Sequence, residues 1–221
     1  MIKFFMLILG ICVCLSLSAQ SQYYFDAGLG LGWGTTSFKS DGFDLVKKTD
    51  LENEADSHTG MLMSVKVGYE VYPNLFATIE WGSISDNYND IDTDFGKKYI
   101  QFSSHLIGPG LVYYPLENLQ IAGTAGYGWS IFDTNEPEVR EYFDDLDNGS
   151  GFAYNLSAAY DFSLGKTKMS GLLFGVNWFQ SLTTATQDMY WEKDKWKQNS
   201  SMFSIFLKYR IKGKLEQKGY F

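Results

Sequence analysis

Two histidines, His58 and His105, are the residues of this 221-residue chain that could act as bases near neutral pH. Ser103 and Ser104 directly precede His105, and a serine beside a histidine can become a nucleophile when an acid orients the ring. The neighbouring residues match no motif of such a site, so His105 is interpreted as an ordinary strand residue. Two histidines far apart in sequence are too few for a metal site. We therefore predict no catalytic residue, no cofactor and no enzymatic activity.

Three aspartates alternate at Asp90, Asp92 and Asp94. This spacing resembles the start of a calcium-binding loop, in which several oxygen atoms surround the ion. The similarity then ends, because Phe95 occupies the position of the turn glycine and Gln101 that of the bidentate glutamate. These aspartates are a weak candidate calcium site.

Alternation of large apolar residues with small or polar ones is the main structural signal. Between Tyr23 and Gly34, one face carries Leu29, Leu31 and Trp33, and the other ends in four glycines, at positions 28, 30, 32 and 34. This period of two predicts a strand whose glycines pack inside a narrow space. Seven further strands are predicted around residues 61–71, 75–82, 99–114, 119–129, 152–162, 171–178 and 203–211.

The predicted strand at 99–114 is irregular. Phe102 and Leu106 share one parity, whereas Ile107 and Leu111 share the other. Because proline cannot donate to a sheet, the change of parity beside Pro109 predicts a β-bulge.

The connections alternate in length. Short turns are predicted at 73–74, 115–118 and 164–167, and the other four connections span roughly 14 to 25 residues. Together with bulky residues on one face and small residues on the other, this pattern predicts an eight-stranded, antiparallel, up-and-down transmembrane β-barrel with four long extracellular loops.

Aromatic residues at both ends of the strands support a membrane location. Tryptophans recur near the loop-side ends and tyrosines near the turn-side ends, on the bulky face. Such girdles mark the two edges of a bilayer. The predicted girdle comprises Tyr23, Trp33, Tyr69, Trp81, Trp129, Tyr160, Trp178 and Tyr209.

The N-terminus has the features of an export signal. Lys3 precedes an apolar run from Phe4 to Leu17, which is too short to span a bilayer as a helix. Both cysteines, Cys12 and Cys14, lie in this run. We predict a signal peptide at 1–20, a barrel at 21–212 and a short periplasmic tail at 213–221.

The chain resembles the small OmpA/OmpX-type outer-membrane barrels in its alternation, its girdles, the segment from Ile107 to Tyr114 and the ending from Leu207 to Ile211. The resemblance implies the outer membrane of a Gram-negative bacterium, surrounded by its lipid and lipopolysaccharide. It also implies the barrel-assembly machinery as a partner during biogenesis. The chain departs from this family at its end, where a polar tail separates the last strand from Phe221.

Charge is concentrated in the predicted loops, which hold 20 of the 26 acidic residues and 9 of the 18 basic ones. An acidic rim would attract cations and repel nucleic acid and anionic lipopolysaccharide. The sequence names no surface ligand.

The inward faces carry seven charged residues, and isolated charges in a narrow lumen would be costly. This predicted lumen network comprises Asp26, Lys66, Glu70, Glu80, Asp161, Lys208 and Arg210. Strand eight must close against strand one, which pairs Asp26 with Lys208 or Arg210. Glu80 is paired with Lys66 within one hairpin.

The leading functional hypothesis is a non-enzymatic barrel with a structural, adhesion or surface-binding role through its acidic loops. A narrow channel or carrier for small solutes is the alternative. A lipid A-modifying enzyme is a third hypothesis, based on Ser103, Ser104 and His105.

Overall fold

The computed structural model describes residues 22–40, 43–44, 57–93, 96–135, 137–143, 145–164, 169–189 and 192–214. The predicted signal peptide, Asp94, residues 165–167 of the turn predicted at 164–167 and residues 215–221 of the predicted tail lie outside these residues.

The described chain is almost entirely strand. The elements are β1 (Gln22–Ser40), β2 (Phe43–Asp44), β3 (Ser57–Tyr72), β4 (Leu75–Thr93), β5 (Gly96–Leu116), β6 (Leu119–Thr134), helix α1 (Pro137–Tyr142), β7 (Gly149–Leu164), β8 (Ser170–Met189) and β9 (Glu192–Lys214). The two-residue β2 extends β1 as a hairpin at the loop side. The eight long strands are those predicted.

These strands form a closed antiparallel barrel. Each long strand pairs with the next, and β1 also pairs with β9, from Gln22 opposite Lys214 to Lys39 opposite Lys197. Closure leaves no free sheet edge along these paired lengths. The predicted all-β barrel is confirmed.

The alternation separates an apolar outer surface from a filled interior. Leu31 and Trp33 are 68% and 72% exposed, whereas Phe206 and Met202 are buried in the lumen. Large apolar side chains therefore face outward around the whole barrel, as they do in proteins surrounded by lipid.

The β-bulge predicted beside Pro109 is wrong. The register between β4 and β5 is continuous there, with Ile79 opposite Pro109 and Trp81 opposite Ile107. Phe102 points inward and Leu111 outward without any change of parity. Both faces of β5 are apolar because the upper lumen itself is filled with large apolar side chains.

Pro109 is instead accommodated by a local gap in the pairing between β5 and β6. Gly108 and Pro109 have no partner in β6, and pairing resumes at Gly110 opposite Thr124. The irregularities of β4 and β5 lie elsewhere, between Tyr88 and Ile91 at the loop side and beside the short turns.

The turn after β3 depends on local chemistry. Asn74 has a φ of 65°, a left-handed conformation that asparagine tolerates better than most residues. Its backbone N–H donates to the Glu70 carboxylate at 3.1 Å. No helix in the described ranges has the length and apolarity needed to cross a bilayer.

Candidate functional site in the barrel lumen

Two buried ion pairs lie side by side in the turn-side half of the lumen. Lys66 and Glu80 are 3.3 Å apart, and Lys208 and Asp26 are 3.7 Å apart. Asp26, Lys66 and Glu80 are aligned across β1, β3 and β4, so their position follows from strand register. Both pairs correspond to those expected from the sequence.

A third pair joins Arg210 to Asp161. The Arg210 guanidinium donates to Asp161 at 2.7 Å, and both side chains are about 1% exposed. Arg210 is the register partner of Asp26, yet its side chain extends to Asp161 on β7. It passes over Gly171, where an added Cβ would lie 2.5 Å from both charged groups. Gly171 thus leaves the space that this pair occupies.

Hydrogen bonds cross the lumen around these pairs. Asn155 on β7 donates to Glu80 on β4 at 2.8 Å. The side-chain amide of Gln120 on β6 donates hydrogen bonds to the hydroxyl oxygens of Tyr24 at 2.7 Å and Tyr114 at 2.9 Å. The Tyr24 hydroxyl in turn donates to the Asp26 carboxylate. We call the six paired residues the ionic layer: Asp26, Lys66, Glu80, Asp161, Lys208 and Arg210. Its three acids and three bases balance in charge.

Glu70 does not join the ionic layer, although the sequence placed it in the network. It is half-buried at the turn-side end and accepts the Asn74 backbone N–H. Lys212, which the sequence analysis did not include, approaches Asp161 at 3.9 Å and lies against the Tyr114 ring.

The loop-side half of the barrel contains a different filling, which we call the aromatic plug: Phe38, Phe102, Phe132, Phe143 and Trp196. The ring centroids of Phe38 and Trp196 are 4.8 Å apart, and those of Phe143 and Trp196 are 4.9 Å apart. Trp196 donates its indole N–H to Gln187 at 2.9 Å. The plug is apolar and tightly packed, unlike the ionic layer.

Phe143 reaches the plug from the third long loop, directly after α1. The loop is fastened to β8, because the Asp147 N–H donates to the Thr186 carbonyl at 2.9 Å and Leu146 bridges to Gln187. This contact of the loop with the barrel is not among those predicted from the sequence. The feature of the sequence that could have indicated it is the presence of large aromatic residues at inward positions of β1, β5 and β9.

A comparison with family models decides the identity of this barrel. Residues 7–171 match the model described as the outer membrane protein beta-barrel domain. The chain belongs to this family. It is therefore an outer-membrane β-barrel protein of the Gram-negative type, and its exposed apolar surface faces lipid.

Solved structures with a similar barrel share little sequence with this outer-membrane protein. OprG from Pseudomonas aeruginosa is 14% identical, with 86% of this chain and 96% of that chain covered and a TM-score of 0.47. Ail, the attachment invasion locus protein of Yersinia pestis, is 11% identical, with 83% and 98% covered and a TM-score of 0.41. No curated protein sequence matches the chain.

The predicted girdle residues all lie on the lipid-facing surface of this outer-membrane barrel. Trp33 and Trp178 are exposed near the loop side, and Tyr69, Tyr160 and Tyr209 near the turn side. The remaining three, Tyr23, Trp81 and Trp129, are partly exposed.

His105 lies on this outer surface of the barrel. Its ring stacks on Trp129 at 4.8 Å and lies 6.4 Å from Trp81. Neither ring nitrogen has a hydrogen-bond partner among the described residues. Ser104 points into the lumen, away from His105. His58 lies in β3, but its side chain is outside the described part.

The weak calcium candidate stays a prediction. Asp90 and Asp92 lie in β4 without described side chains, and Asp94 lies outside the described residues. No group of three potential metal ligands occurs among the described side chains. The nearby Asp86 is buried in the lumen and accepts a hydrogen bond from Thr36 at 2.9 Å.

Proposed function

We propose that this outer-membrane barrel is a non-enzymatic cell-surface protein with a closed lumen, acting in a structural, adhesion or surface-binding role through its acidic loops. The observation that carries the proposal is the attachment of the third loop to the barrel mouth. Phe143 enters the aromatic plug, and the Asp147 backbone bonds to β8.

This attachment gives the loop a fixed acidic surface. Glu141, Asp145 and Asp147 are exposed around the anchored Phe143, and Arg140 is an exposed base beside them. Fixed carboxylates at a surface attract cationic partners, and salt screens the attraction. A rigid loop also loses less conformational entropy on binding than a free one.

The ionic layer supports the same proposal, because a channel would require an open lumen. Three ion pairs and the hydrogen bonds of Asn155 and Gln120 occupy the space between opposite walls. Barrels of eight strands generally fill their interior with side chains.

The test measures binding of a lysine-rich peptide to the full-length protein in lipid nanodiscs. Glu141→Gln with Asp145→Asn should weaken binding about three-fold or more at low ionic strength. Glu70→Gln with Glu117→Gln makes the same charge change at the turn side and should leave binding unaltered. Equal binding by both double variants would contradict a role for the acidic loop.

A second candidate function, a carrier for small apolar solutes, is favoured by the composition of the aromatic plug. If Phe143 moved out, the walls left behind would include Phe38, Phe102 and Trp196, which suit an apolar aromatic guest. A brominated aromatic solute should then quench a larger fraction of the total tryptophan fluorescence in the wild type than in Trp196→Phe. The closed-lumen proposal expects the same quenching in both.

A further inference from the structure

Asn148 is the last residue of the third long loop and directly precedes Gly149, at which β7 begins. It is exposed and lies in neither a helix nor a strand. Both of its neighbours are held in place. The Asp147 N–H donates to the Thr186 carbonyl at 2.9 Å, and Gly149 is paired with Ser130 of β6. Asn148 is thus an exposed residue between two fixed points of the backbone.

The side-chain amide of Asn148 can rotate. Among the residues that the structure describes, none forms a hydrogen bond with it. Asn135, an exposed asparagine at the start of the same loop, differs in this respect. Its side-chain oxygen accepts the backbone N–H of Tyr99 at 2.6 Å. The carboxamide of Asn148 can therefore turn toward the backbone of the next residue, whereas that of Asn135 is held by β5.

The packing of the lumen requires glycine after Asn148. A Cβ added at Gly149 would overlap the Ser130 hydroxyl and lie 3.3 Å from the Thr183 hydroxyl, and these two hydroxyls are hydrogen-bonded to each other at 2.7 Å. Glycine also leaves its own backbone nitrogen less shielded than any other residue does, because it has no side chain. The fold thus places the most accessible kind of backbone nitrogen beside the free amide of Asn148.

We propose that Asn148 and Gly149 form a site of intramolecular deamidation. The Gly149 backbone nitrogen attacks the side-chain carbonyl carbon of Asn148. The bond from that carbon to the amide nitrogen breaks, and the proton of the Gly149 N–H leaves with this nitrogen as ammonia. Water then opens the five-membered imide at one of its two carbonyls. The product is an aspartate or an isoaspartate at position 148, and water is the only co-reactant.

Both products change the anchored part of the loop. Each adds a negative charge beside the exposed Asp145 and Asp147. Isoaspartate also inserts a methylene into the backbone between Asp147, which is bonded to Thr186, and Gly149, which is paired in the barrel. Because both points are fixed, we expect the longer backbone to weaken the Asp147 hydrogen bond and open this part of the loop locally.

The first experiment incubates the full-length protein in lipid nanodiscs in mildly alkaline buffer and follows its peptides by mass spectrometry. Position 148 should show the mass change of an amide converted to an acid at least about ten-fold faster than Asn135. An isoaspartate-specific methyltransferase should label the peptide that contains position 148. Asn148→Gln keeps a neutral amide but would need a larger ring, so the same peptide should remain unlabelled. An unchanged position 148, or equal rates at Asn148 and Asn135, would overturn the proposal.

The second experiment measures hydrogen exchange at the Asp147 amide. Exchange should be faster in the protein that carries isoaspartate than in fresh protein. Asn148→Asp supplies the charge without the extra methylene and should exchange like the wild type. Equal exchange in the aged and the fresh protein would overturn the predicted weakening of the loop attachment.

The effect of the added charge on binding rests on the proposed function, whereas the deamidation does not. Asn148→Asp should bind the lysine-rich peptide about two-fold more tightly than the wild type at low ionic strength. Unaltered peptide binding together with conversion at position 148 would contradict the acidic binding surface and leave the deamidation site standing.

Discussion

The ionic layer and the aromatic plug differ in where their residues come from. The ionic layer is built only from strand residues, held in place by register, as Asp26, Lys66 and Glu80 illustrate. The aromatic plug combines strand residues such as Phe38 and Trp196 with Phe143, which arrives from a loop. The ionic layer is thus part of the barrel wall, whereas the plug also depends on a residue that lies outside the barrel strands.

The two layers therefore make different contributions to the stability of the protein. Removing one member of the ionic layer leaves its partner as an uncompensated charge in a poorly solvated space, so the whole barrel loses stability. Breaking the plug removes an apolar contact of one loop, and the strands around it retain their own pairing.

The largest effect is expected for Asp161→Ala. Arg210 would then remain buried without its 2.7 Å partner, which should lower the free energy of unfolding by about 3–5 kcal/mol. Urea unfolding in lipid vesicles measures this change. Asp161→Ala combined with Arg210→Met should recover most of the loss, because both charges are then removed. Without such recovery, the pairing is not the cause of the loss.

A smaller loss is expected for Glu80→Gln. The amide can still accept the hydrogen bond from Asn155, but Lys66 loses its ionic partner, at a cost of about 2 kcal/mol. Glu70→Gln is the matched control at a half-buried turn position and should cost less than about 0.5 kcal/mol. Equal losses in the two variants would place both glutamates in similar surroundings, against this structure.

The smallest global effect is expected for Phe143→Ala. The change removes a buried ring from the plug, but the barrel should lose less than about 1 kcal/mol of unfolding free energy because the loop can detach locally. Backbone amides around α1 should exchange with solvent at least about ten-fold faster, as hydrogen exchange with mass spectrometry would detect. Glu141→Ala, at an exposed position of α1, should change neither quantity. A decrease of several kcal/mol in the free energy of unfolding would contradict this prediction, because the plug would then stabilise the barrel as much as the ionic layer does.

The sequence could predict what depends on alternation and register. The eight long strands, the outward tryptophans and the neighbouring positions of Asp26 and Lys208 all follow from counting residues along strands and closing the sheet. The side-chain direction of Arg210 could not be predicted in this way, because it depends on the space above Gly171, two strands away from Asp26 in the closed sheet.

Alternation fails where both faces of a strand are apolar. In β5, Phe102 packs inside the barrel in the aromatic plug, whereas Ile107 lies on the outer surface that faces lipid. Apolar residues therefore occur at both parities of the strand, which is the same sequence pattern that a β-bulge produces. The contact of Phe143 with Trp196 joins residues 53 positions apart, one of them in a loop, and has no periodic signal. Loop contacts of this kind require the three-dimensional structure.

The most direct test of the closed lumen is single-channel conductance in planar lipid bilayers, for the wild type and for Phe143→Ala. The ionic layer lies below the plug and contains its own cross-lumen hydrogen bonds, so removal of the plug alone should not open a path. We expect no steady conducting level for either protein. A stable open level in the wild type, or one that appears in Phe143→Ala, would contradict the claim that the ionic layer closes the barrel.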